Sequence, residues 1–100
     1  MTKPRLLIVE DNEDIAEMLQ FYFSSHGYEV LVAHEGEAAL NICRAELPSL
    51  ILLDVGLPDI DGFTVCRRLR QSTRFQHLPV IFATKRDRRA DKAEGLALGA

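Results

Sequence analysis

Two short aliphatic runs, each ending in carboxylates, constrain this chain more than any other feature. Leu50-Ile51-Leu52-Leu53 closes on Asp54, and Leu6-Leu7-Ile8-Val9 closes on Glu10-Asp11. A brief continuous run of aliphatics bounded by turn residues is what a strand buried on both faces looks like. Ligands of open α/β sheets bind outside the carboxyl ends of the strands, so acids at those ends are placed for chemistry rather than for packing.

The segments between these runs change period. Ile15, Met18, Leu19, Tyr22 and Phe23 follow the spacing of one helix face, with Asn12 or Glu13 near its start and Gly27 as a stop. Val30 to Ala33 reads as a second strand, with His34-Glu35-Gly36 as the turn out of it. A second helix carrying Ala38, Ala39, Leu40, Ile42 and Cys43 is expected to end before Pro48. After Asp54 comes a long turn, then a helix over 62–70 with Asp61 as its N-cap. Pro79 to Thr84 forms a fourth strand, and a fourth helix over Ala90, Ala93, Leu96 and Ala97 ends near Gly99. Strand and helix thus alternate four times, which predicts an α/β parallel sheet with helices on both faces. The strand order is not legible from this pattern.

At 100 residues and 47% apolar content the chain has the material for one domain and not for two. Its net charge of -3 argues against nucleic-acid binding by this domain. The bases gather in Arg67-Arg68-Leu69-Arg70 and Lys85-Arg86-Asp87-Arg88-Arg89, which are read as solvated faces or a dock for an acidic partner. Neither a signal peptide nor a membrane-length apolar run is visible, so the expected location is the cytoplasm, with no membrane partner. Cys43 and Cys66 lack metal-ligand spacing and are expected to be small buried hydrophobes.

If the Asp54 strand and the Glu10-Asp11 strand are neighbours, their ends lie about 4.8 Å apart and three carboxylates share one pocket. Such a cluster calls for a cation. Mg²⁺ takes oxygen ligands, uses one or two carboxylates and keeps positions for water and phosphate oxygens. A carboxylate beside it is placed to attack a phosphoryl group. Thr84 adds a hydroxyl, able to donate to a phosphate oxygen, at the end of the fourth strand.

With these residues assembled, the chain resembles a receiver domain of two-component response regulators. The resemblance is carried by 7–12, 53–63, 79–84 and 95–100, and it covers essentially the whole of 1–100 as a single domain. It implies a flavodoxin-like doubly wound sheet of order 2-1-3-4, with the site between strands 1 and 3. It also implies roles: Asp54 as phosphoacceptor, Asp11 as direct Mg²⁺ ligand, Glu10 as ligand through water, Gly56 as a backbone carbonyl ligand and Thr84 as the switch hydroxyl. The implied donor is a histidine kinase or a phosphotransfer protein. The module would be regulatory, at most catalysing its own phosphotransfer and dephosphorylation.

The chain departs from the family after its Gly-Ala pair, because the fifth strand, its lysine and the fifth helix are not in the sequence. Lys85 directly follows Thr84, where the family usually has a small residue, and Lys85 with Arg86 is expected to restrict or steer access to the pocket. Without the fifth strand the fourth becomes an edge, from which self-association through the strand-4/helix-4 side is expected, unless the chain is a piece of a longer protein. A phosphorylation-independent pseudo-receiver serving as a dimerisation scaffold is the competing reading. A Mg²⁺-dependent phosphatase is a weaker one, because Gly56 stands where such an enzyme wants a second acid.

Overall fold

The computed structural model describes residues 3–83. Its elements run β1 (Arg5–Val9), α1 (Glu13–Ser25), β2 (Glu29–Ala33), α2 (Gly36–Glu46), β3 (Leu50–Asp54), α3 (Gly62–Arg70) and β4 (Val80–Ala83). All strand pairs are parallel and the sheet order is β2-β1-β3-β4. The expected flavodoxin-like order is therefore present. The fourth helix of the sequence reading, together with Thr84 and Lys85, lies outside the described residues.

Alternation along β1 sends its side chains to two different layers. Leu7 and Val9 join Ile51 and Leu53 of β3, Leu40 and Cys43 of α2, and Val65, Cys66 and Leu69 of α3 in one buried cluster. Leu6 and Ile8 are equally buried but stand outside that cluster, on the face where α1 packs against β1 and β2. Both cysteines are free, as expected, and burial pushes the Cys43 thiol up to about 11, outweighing the opposing pull of Arg44.

The helices begin and end where hydrogen bonding allows. Asn12 caps α1 by accepting from the Ile15 N–H at 3.0 Å, and Asp61 caps α3 by accepting from the Thr64 N–H at 2.8 Å. Helix α2 starts two residues earlier than its apolar pattern suggests, for a reason that lies in the site loop. It ends at Leu47, which adopts the left-handed conformation at φ 50 just before Pro48.

Helix α1 is turned differently from the expected face. Met18 is 62% exposed and Tyr22 54%, whereas Ala16 is buried and Ile15, Leu19 and Phe23 are partly so. The buried stripe is centred toward Ala16, roughly a third of a turn from Met18. A small residue there lets the helix approach the sheet closely. Tyr22 packs instead on its own helix, stacking on His26 at 4.3 Å between ring centroids. Among the described residues no helix is long and apolar enough to cross a membrane.

Candidate metal and phosphoryl site

β1 and β3 are adjacent, with Val9 opposite Leu53. The residues that follow, Glu10 and Asp54, therefore leave the sheet side by side. Ligand oxygens of Glu10, Asp11 and Asp54 all lie within 4.8 Å of one another. Glu10 and Asp54 are each only 5% exposed, while Asp11 is open to solvent. The pocket thus has two acids as its floor and one at its mouth.

The floor is fixed by backbone hydrogen bonds. Glu10 Oε2 accepts from the Asn12 N–H at 3.0 Å, so the turn that caps α1 also holds this carboxylate. Asp54 Oδ1 accepts from the Gly56 N–H at 3.2 Å. His34, one residue past β2, donates from Nδ1 to the Glu10 carbonyl at 2.9 Å, a contact that ties the end of β2 to the pocket. Ala83 is the residue of β4 opposite Asp54.

The donor set fits a hard divalent cation. Three carboxylates this close repel one another, and an ion among them removes that repulsion. Octahedral Mg²⁺ bonds oxygen at about 2.0–2.1 Å, which puts its ligands about 3–4 Å apart, slightly inside the spacing found here. Only a small closure is needed. No thiol or imidazole is in the cluster, so oxygen-seeking ions are favoured over zinc or copper.

The loop from Val55 to Asp61 joins Asp54 to α3 and is anchored along its length. The Val55 carbonyl accepts from the Leu57 N–H at 3.1 Å and the Gly62 N–H at 2.9 Å. Gly62 is demanded by this closeness: a Cβ there would overlap the Asp54 carbonyl oxygen and sit 3.0 Å from Val55 Cα. Farther along, Asp59 accepts from the Gly36 and Glu37 N–H groups, both at 2.8 Å, and so caps α2 from 23 residues away. Desolvation is the largest single influence on Asp59 and opposes its ionisation. That effect is outweighed by the N–H groups of Glu37, Gly36, Ile60 and Asp59 itself, which hold the Asp59 carboxyl down to about 2.

Asp54, Glu10 and Asp11 are therefore brought together as the sequence suggested, and Gly56 lies beside them. Thr84 falls outside the described residues. Asp59 and His34 were not singled out from the sequence. Nothing local marks either one, since their partners are 23 and 24 residues distant.

Residues 6–100 match the family described as the response regulator receiver domain. The chain is 42% identical over 96 residues to response regulator PleD of Caulobacter vibrioides, covering 96% of this chain and 21% of that protein. It is 43% identical over 96 residues to the alkaline phosphatase synthesis transcriptional regulatory protein PhoP of Bacillus subtilis, covering 96% of this chain and 39% of that protein. The chain thus spans well under half the length of either relative. Among solved structures it is similar to the chemotaxis protein CheY4 of Vibrio cholerae, with a TM-score of 0.91 and 28% identity, covering 99% of this chain and 82% of that one.

Proposed function

Because this chain belongs to the response regulator receiver domains, we propose that Asp54 accepts a phosphoryl group from a histidine kinase or a phosphotransfer protein. Receiver domains are regulatory phosphoacceptor modules that bind Mg²⁺ in an acidic pocket, and here that pocket is Glu10, Asp11 and Asp54. The observation that carries the reading is Asp54 itself, a buried carboxylate whose oxygens lie within 4.8 Å of two other acids.

In the proposed reaction the Gly56 N–H orients Asp54 by holding Oδ1, and the second oxygen attacks phosphorus. The phosphorus–nitrogen bond of a phosphohistidine donor breaks, and its electron pair leaves on the imidazole nitrogen. Asp11, Asp54 and the Gly56 carbonyl would hold Mg²⁺, with Glu10 acting through water. The ion supplies positive charge against the transferring phosphoryl oxygens. Thr84, next in the chain after the Ala83 that faces Asp54, is the proposed switch hydroxyl.

Phosphorylation adds about -1.5 to -2 charge to an already acidic pocket, and this is the change partners would sense. Self-association on the strand-4 side belongs to the same proposal. Half-exposed Ile81 on β4 supports it.

The test is incubation with Mg²⁺ and a small acyl phosphate, followed by the mass of the intact protein. One added phosphate is expected in the wild type and in Glu46→Gln, at the far end of α2, and none in Asp54→Asn. No addition under any condition would favour the dimerisation scaffold instead.

A further inference from the structure

We infer that Asp59 is a positioning residue for the metal site, fixing the loop that carries Gly56 by docking it on the N-terminus of α2. The inference rests on the proposed Mg²⁺ role of the pocket and goes beyond it, because Asp59 is not itself one of the clustered carboxylates.

Two independent contacts bind the loop to the same helix end. Both carboxylate oxygens of Asp59 are used, Oδ1 by the Gly36 N–H and Oδ2 by the Glu37 N–H, each at 2.8 Å. Ile60, the next residue, lies against the bare Cα of Gly36, where a Cβ would overlap Ile60 Cγ1 and approach Val65 Cγ2 to 2.9 Å. The glycine is thus the seat on which the loop rests. An anion at a helix N-terminus is favoured by both the unpaired N–H groups and the helix dipole, so the docking is charge-assisted.

The consequence reaches Gly56 through the chain. Upstream, the loop is tied at Val55 and Asp54, and downstream at Asp61 and Gly62. In its middle, Leu57 packs against the core, and Asp59 with Ile60 makes the polar and close contact to the N-terminus of α2. Gly56 and Pro58 are exposed, with no buried side chain of their own to set their position. Release of Asp59 would let the Gly56 carbonyl drift from the ion while leaving the carboxylates in place. Partners that orient metal ligands from outside typically change affinity by about 10–100-fold when removed.

The experiment is a MgCl₂ titration of the full chain, followed by NMR of the Asp11 and Gly56 amides, with thermal melting of the same samples. Asp59→Ala is expected to weaken Mg²⁺ about tenfold at a temperature where it is fully folded. Asp59→Asn, which retains one acceptor, is expected to fall between and serves if the alanine variant does not fold. Arg68→Ala breaks the 2.7 Å ion pair between Arg68 and Glu37 that joins α3 to the same end of α2. It is expected to change the melt without changing Mg²⁺ affinity.

Wild-type binding with unchanged affinity in the Asp59 variants would reduce Asp59 to a helix cap and overturn the inference alone. An equal loss of affinity in Arg68→Ala would overturn it as well, since any loosening of α2 would then suffice. A wild-type chain that does not bind Mg²⁺ would overturn the metal-site reading and this role together.

Discussion

Single residues at the site are held by backbone groups more than by one another, and that makes their substitutions predictable. Gly62→Ala places a methyl group against the Asp54 carbonyl and Val55 Cα, neither of which can rotate away. Overpacking of this kind costs about 1–3 kcal/mol, readable as a shift in the urea midpoint, and the same displacement of Asp54 should slow its phosphorylation. Asp59 has a folded pKa of about 2, below the ordinary value of 3.8. Its contribution to stability is therefore complete above about pH 4 and is lost as pH falls through about 2. Acid titration of stability should show a shallower decline over that window in Asp59→Asn than in the wild type. Asp54, the Glu10-Asp11 pair and the Asp61 cap were legible in the sequence because each stands at the end of a local hydrophobic pattern. Asp59 and His34 were not, because their roles depend on groups that only the fold brings near.

Among the secondary-structure elements, the strands are more legible in this sequence than the helices. Buried strands announce themselves in continuous aliphatic runs such as 50–53, whereas a helix's buried face depends on what it lies against. Met18 and Tyr22 had the right spacing and the wrong side, because the pattern does not register that a small residue, Ala16, faces the sheet. Met18→Gln should accordingly leave stability within about 0.5 kcal/mol of the wild type in chemical unfolding. The early start of α2 was hidden for a different reason, its cap being supplied by Asp59 from another loop. Its end carries a small strain: Leu47 is half exposed and left-handed at φ 50. Leu47→Gly removes a conformational cost of about 1–2 kcal/mol and gives back part of it as unfolded-chain entropy. A net gain of about 0.5–1 kcal/mol in the same assay is expected.

For the molecule as a whole, the topology concentrates function at the carboxyl end of the two central strands, β1 and β3. Acids at the ends of two runs that are 44 residues apart in sequence become neighbours only because β1 and β3 pair, an order the alternation of elements left open and the family resemblance supplied. The same arrangement separates the site from Arg5, which joins β1 to β2 through Glu29 at 3.0 Å and reaches Glu46 on α2 at 3.5 Å. Substitution of Arg5 should thus affect stability without changing phosphate uptake. The proposed self-association predicts a dimer by sedimentation at micromolar concentration, and a stable folded monomer would contradict it. The central claim is that Asp54 takes the phosphoryl group. Borohydride reduces an aspartyl phosphate to homoserine, so peptide sequencing by mass spectrometry after treatment with Mg²⁺, acyl phosphate and borohydride locates the acceptor directly. Homoserine at position 54, formed only when Mg²⁺ is present, is the predicted result; reduction at Glu10, Asp11 or Asp59 with position 54 unchanged would contradict it.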